Sequence, residues 1–138
     1  IAHEPDLVFL GFGMNDPKLS AEVYKNTVRR MIERIHEGLP DAEILLVAPM
    51  LPNNEADAAW NGNQKVFASA LLELETDYDF AGVANVTEMH RALLEAGKRY
   101  RDMTGNNINH PNDFVVRLYA QVLLKTLLGS DFCREIYS

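Results

Sequence analysis

The feature that most limits the fold is an alternation in the chain. Short apolar runs bounded by turn residues take turns with longer stretches whose apolar positions recur every three or four residues. Residues 7–12 form one such run, with Pro5 before it and Gly13 after it. A continuous apolar run of that length reads as a strand buried on both faces, the pattern of a parallel sheet. Ser20 can cap the helix that follows, in which Tyr24, Val28, Met31, Ile32, Ile35 and Leu39 recur at helical spacing and Gly38 with Pro40 ends the segment. Residues 43–49 read as a second buried strand, 64–74 as a helix and 82–86 as a weaker strand, and Thr87 can cap a helix through Glu95 that stops at Gly97. Between them, residues 50–63 form a long irregular loop rich in Pro, Asn and Asp. A last helix opens at Pro111 or Asn112 and runs to about Leu128, with Gly129 as its stop.

Strands alternating with helices at this spacing require right-handed crossovers, which put helices on both faces of a parallel sheet. The expected class is therefore α/β, a three-layer α/β/α sandwich. Residues 1–138 read as one domain, since no repeat, low-complexity tract or linker divides them. Three strands make a small sheet, and the first of them would need another neighbour on its outer side. Because Ile1 leads into a strand pattern almost at once, the chain reads as the later part of a longer domain whose N-terminal strands are missing. Such a start gives no reading of leader or compartment, so cytoplasmic and secreted settings both stay open.

Composition removes several function classes. No apolar run approaches the roughly 20 residues of a bilayer helix, so no transmembrane segment is expected. The net charge is −7, and the 13 Lys and Arg are dispersed apart from a cluster at residues 98–101, which argues against nucleic acid as a partner. The single cysteine, Cys133, rules out an internal disulfide and a cysteine-based zinc site. Histidines and carboxylates show no metal-ligand spacing, and no cofactor is expected.

Two segments carry chemistry. Gly13-Met14-Asn15-Asp16 sits where the first strand ends, and ligands of open α/β sheets bind outside the carboxyl ends of strands. Gly13 lets the backbone approach a ligand, the Asn15 amide can donate to an oxyanion, and Asp16 braces the loop or caps the next turn. The plainer reading is turn chemistry before a helix, because Gly, Asn, Asp and Pro17 are all turn residues. His110 lies in a polar segment and is followed by Pro111, which fixes the backbone at a helix entrance, so the imidazole is a candidate general base. Its plainer reading is a surface histidine helping to cap the last helix. His3, His36 and His90 accompany no comparable motif and read as structural or solvated. Trp60, in the long loop, is either a platform for a sugar ring or a hydrophobic plug.

Together these segments resemble the SGNH hydrolases, the GDSL-type esterase and lipase superfamily, with its flavodoxin-like order of strands and helices. Gly13-Met14-Asn15-Asp16 is similar to that family's third block, which implies an oxyanion role for Asn15. His110-Pro111-Asn112 is similar to its fifth block, which implies His110 as general base. The resemblance covers roughly the C-terminal two thirds of such a domain, and it implies a serine esterase acting on a small-molecule ester, an acylated sugar or a lipid.

Two departures stand out. The family's nucleophilic serine in Gly-Asp-Ser and its glycine oxyanion donor belong to earlier strands, and neither segment is in this chain; Ser20, Ser69, Ser130 and Ser138 do not follow a strand in a Gly-rich turn. These 138 residues are therefore expected to be inactive alone. The family's aspartate three residues before the histidine is here Asn107. An Asn carbonyl can orient an imidazole but supplies no charge, and the comparable change in a serine protease costs roughly 10⁴ in turnover. Either Asn107 orients His110 or another carboxylate does, Asp102 and Asp113 being nearest in sequence. The rivals are a non-catalytic binding module on the same fold, and a flavodoxin-like receiver or nucleotide-binding domain, although no Gly-rich phosphate loop follows any visible strand.

Overall fold

The computed structural model describes residues 3–56 and 60–136, except for the side chains beyond Gly129; Cys133, Ser130 and Ser138 are thus outside the described side chains. Its elements are β1 (Leu7–Leu10), α1 (Ala21–Gly38), β2 (Glu43–Val47), α2 (Gln64–Asp77), β3 (Ala81–Ala84), α3 (Val86–Glu95), a 3-10 turn at Tyr100–Asp102, and α4 (Asp113–Ile136). The strands pair in the order β1-β2-β3, all parallel, with Leu7 opposite Glu43 and Ile44 opposite Ala81. This is the α/β sandwich that the alternation implies. None of its described helices is long and apolar enough to cross a membrane.

Successive residues of β2 point to opposite faces, and the two cores follow from that. Ile44, Leu46 and Ala48 pack with Val83 against Tyr24, Val28 and Ile32 of α1 and Phe67, Leu71 and Leu74 of α2. On the other face Met50, Val86, Tyr100, Met103 and Val115 form a second cluster, joined by Val47 and by Tyr119 and Val122 of α4. Each aliphatic or aromatic side chain fully buried here contributes roughly 1.5–3 kcal/mol. Ser20 caps α1 as its sequence position implies, its Oγ accepting from Val23 N at 3.2 Å.

Several expectations need correction. β1 ends at Leu10, short of the apolar run's end at Phe12, and is not buried on both faces: Phe9 is 52% exposed, and Phe12 just beyond the strand 53%, because β1 is an edge strand and no described element lies beyond it. An open groove of about 690 Å³ runs beside it, lined in part by Leu10, Phe12, Met31 and Ile35. Thr87 does not cap α3. The helix begins earlier because β3 ends at Ala84, so the cap is Asn85, whose Oδ1 accepts from Glu88 N at 3.1 Å, while the buried Thr87 hydroxyl donates to Pro49 O at 2.6 Å. α2 continues to Asp77, whereas the last helix does break at Gly129 (φ 77°), where its sequence position puts the stop, and a further helical segment follows within α4. The opposite sheet edge is blunted, since Val83 N donates to Glu75 Oε1 at 2.8 Å.

Candidate active site

Both chemistry-bearing segments lie beyond the carboxyl ends of the strands. Leaving β1, the chain turns at Gly13, where φ is 109° and a Cβ would stand 2.9 Å from ring atoms of both Phe67 and Tyr24. Only glycine meets both conditions without strain. Asp16 N closes the turn on Gly13 O at 3.2 Å. Tyr24 stacks on Phe67 with ring centroids 4.0 Å apart and donates its hydroxyl to Phe12 O at 3.2 Å. Burial, with help from the Asp16 charge, pushes that phenol up to about 12, so it stays a neutral donor.

Gln64 joins this turn to the loop that carries Trp60. Fully buried, it donates from Nε2 to Met14 O at 3.2 Å and Trp60 O at 3.1 Å, and accepts from Gly62 N at 3.0 Å. Asn63 adds two more ties, N to Pro17 O and Nδ2 to Leu19 O, both at 2.9 Å. The result is a cleft of about 320 Å³ walled by residues 15–19 and by Trp60, which is 39% exposed.

The histidine segment is held by the chain leaving β2. Beyond Ala48, whose N–H donates to Ala84 O at 3.1 Å, the sheet ladder runs out, and side chains take over its backbone groups. Met50 N donates to Tyr119 Oη at 3.1 Å and Leu51 N to His90 Nδ1 at 3.1 Å, while Tyr100 Oη lies 3.0 Å from Leu51 O and 3.1 Å from Ile108 O. Asn53 Nδ2 then donates to Asn107 O at 2.8 Å. His90 is fully buried, and burial lowers its pKa to about 4, so it is a neutral acceptor with a structural task.

Ahead of α4 the backbone forms a tight turn. Asn107 adopts φ 56°, and Asn106 Oδ1 accepts from the backbone N–H of Ile108, Asn109 and His110, each at 3.0 Å. Asn112 caps α4, its Oδ1 accepting from Val115 N at 3.2 Å. His110 is exposed at the rim. The two segments meet through one bond that the sequence did not signal: Asn109 Nδ2 donates to Asn15 Oδ1 at 2.8 Å across a separation of 94 residues. Asn109 itself is only 8% exposed. Three asparagines precede His110 within four residues, and nothing in that pattern reveals which of them reaches the distant loop.

The remaining candidates are placed as follows. Among the described residues the His110 imidazole makes no hydrogen bond, and Asn107 Oδ1 lies 3.5 Å from Asn53 Nδ2. Asp102 is held by Arg99 at 2.7 and 2.9 Å, and that guanidinium keeps its carboxyl below the usual carboxylate range. Asp113 sits in the first turn of α4, where it complements the helix dipole. Neither carboxylate is hydrogen-bonded to His110. Of the described serines, Ser20 is spent on its cap and Ser69 is exposed within α2.

The geometry has known parallels. A protein from Parabacteroides merdae described as a GDSL-like lipase superposes with a TM-score of 0.73 at 21% identity, over 91% of this chain and 61% of that one. A catalytic mutant of Axe2, an acetylxylan esterase from Geobacillus stearothermophilus, gives 0.71 at 17% identity, over 92% and 61%. Another Axe2 mutant, described as an acetyl-xylooligosaccharide esterase, gives 0.73 at 16%. The chain thus spans 61% of the length of these solved structures. No curated protein matches the sequence. At these identities the likeness establishes the fold, and membership rests on the sequence itself: the model of the GDSL-like Lipase/Acylhydrolase family matches residues 1–117. With most of its length inside that match, the chain belongs to the GDSL-like lipase/acylhydrolase family.

Proposed function

We propose that this chain supplies the oxyanion-donor and general-base half of a serine esterase site, as the C-terminal part of one hydrolase domain. The observation that carries the reading is the Asn109–Asn15 hydrogen bond, which joins the Gly13–Asp16 turn to the His110 turn beside the Trp60 cleft. An earlier segment of the longer protein supplies the nucleophilic serine and a second oxyanion donor. The exposed side of β1, with Phe9 and Phe12 uncovered, suits the further strand such a segment would add.

In this mechanism the serine attacks the ester carbonyl as His110 takes its proton. Asn15 Nδ2 and backbone N–H groups hold the negative oxygen of the tetrahedral intermediate, His110 returns the proton to the leaving alcohol, and water then releases the acyl group. Asn107, whose Oδ1 is turned toward Asn53 Nδ2 here, would orient His110 as a neutral group only by exchanging that partner, so imidazolium formation goes without the stabilisation that an aspartate gives. The substrate class is an ester of a small acyl group, with acetylated carbohydrate preferred over lipid: Trp60 offers a ring face in a cleft where Asn15, Asp16 and Lys18 stand beside Pro17 and Leu19, and the Axe2 structures belong to an enzyme that acts on acetylated xylan.

The test is hydrolysis of p-nitrophenyl acetate and of acetylated xylo-oligosaccharides by the longer protein, beside its His110→Ala variant and the isolated 138 residues. Turnover by the longer protein that His110→Ala abolishes, and none by the isolated chain, is the expected result. Failure of the longer protein across a broad ester panel favours a non-catalytic binding module, for which Asn107 in place of an aspartate is the motivating observation.

A further inference from the structure

A side-chain amide presents a donor on one side and an acceptor on the other, and its sense is fixed by whatever its partners can do. Backbone N–H groups can only donate. Three of them, from Ile108, Asn109 and His110, converge on Asn106, so the Asn106 oxygen must face them and its nitrogen must face away. That nitrogen donates to Asn109 Oδ1 at 3.1 Å, which fixes Asn109 in turn and leaves its nitrogen facing Asn15. Asn109 Nδ2 donates to Asn15 Oδ1 at 2.8 Å. Asn15 therefore has its oxygen occupied, and its Nδ2, with no protein partner among the described residues, faces outward as a donor.

We infer that Asn106 and Asn109 are positioning residues that set the polarity of Asn15, so the turn that carries His110 dictates that Asn15 offers a donor, not an acceptor, to the reacting carbonyl oxygen. The inference deepens the esterase reading and rests on it for its catalytic meaning. Its physical content is independent: reversing the hydrogen-bonding sense at any one link must reverse the links after it. In Asn109→Asp, one carboxylate oxygen still accepts from Asn106 Nδ2, and the other faces Asn15. Asn15 must then turn its nitrogen toward residue 109, which puts its oxygen where the donor was. Asn106→Asp has the same effect one link earlier. Asn109→Ala only removes the constraint and leaves Asn15 free to donate part of the time.

The order of damage therefore distinguishes polarity from packing. In the longer protein, Asn109→Asp and Asn106→Asp should lower kcat for p-nitrophenyl acetate by about as much as Asn15→Ala, on the order of 10²–10³-fold, with KM little changed. Asn109→Ala should lose at least tenfold less. A role in packing alone predicts the reverse, because aspartate matches asparagine in shape and alanine leaves a hole. The second readout needs no turnover. In nitrogen-15 NMR spectra the Asn15 side-chain amide protons should exchange freely with water in the parent, and move downfield with slowed exchange in both aspartate variants. An Asn15 amide unchanged in both, or alanine more damaging than aspartate, overturns the relay. If Asn15→Ala leaves turnover intact, the oxyanion assignment fails instead, and the NMR arm still decides the relay.

Discussion

His90 gives the most quantitative prediction. Its ring is fully buried beneath the segment leaving β2, edge-on to Tyr100 at 5.3 Å, with Nδ1 accepting from Leu51 N at 3.1 Å. Nε2 is buried without a partner among the described residues, and since Nδ1 accepts, the neutral ring carries its proton on Nε2. Protonating Nδ1 would place a donor against a donor and a charge in an apolar core, which is why burial lowers the pKa from 6.5 to about 4. In the unfolded chain His90 takes a proton below about 6.5. Between those two values the unfolded state binds more protons, so stability rises with pH across the window. The contribution is complete above about pH 6.5, is lost as pH falls, and is gone below about 4. At about 1.4 kcal/mol per pH unit it amounts to roughly 3 kcal/mol.

The perturbation is His90→Asn, whose oxygen can replace Nδ1 as the acceptor without titrating. Urea unfolding of parent and variant, followed by circular dichroism at intervals from pH 7.5 to 4.5, isolates His90, because the carboxylates common to both chains cancel in the difference. The variant should start about 1–2 kcal/mol less stable for its lost ring contacts, and the parent's advantage should shrink by about 2–3 kcal/mol by pH 4.5. A difference that changes by less than about 1 kcal/mol over that range would refute the argument.

Two further perturbations test the turn and the cleft. Gly13→Ala forces a Cβ within 2.9 Å of Phe67 and Tyr24 at φ 109°, and should cost about 2–4 kcal/mol in the same unfolding assay; a loss under about 1 kcal/mol would show that the rings yield. Gln64→Leu leaves Met14 O, Trp60 O and Gly62 N without their partner, which should cost about 2–4 kcal/mol and speed amide exchange at Gly62. Unaltered exchange there would remove Gln64 as the link between the two walls.

Much of the fold was legible because its signals are local. Continuous apolar runs and helical periodicity follow from which faces of an element are buried, and Ser20 and Gly13 act where their intrinsic preferences put them. The misread α3 cap shows where such reasoning stops. Asn85 and Thr87 are both acceptable caps by composition, and the choice fell to Asn85 because β3 ends at Ala84 and Pro49 takes the Thr87 hydroxyl. The burial of β1 was overestimated for a related reason: the apolar run shows that both faces are fit for burial, and only the neighbours determine whether they are covered.

The candidate site divides in the same way. The α/β alternation, the turn at Gly13–Asp16 and the fixed backbone at His110-Pro111 are legible in the chain, since each depends on residues adjacent along it. Folding alone revealed that Asn109 reaches Asn15, that Gln64 ties the Trp60 loop to the Gly13 turn, and that Asp102 belongs to Arg99. Those are pairings of polar groups, and a polar side chain has many partners it can satisfy equally well; which one it meets is set by how the helices seat on the sheet, a matter of the whole packed core and not of any stretch of sequence.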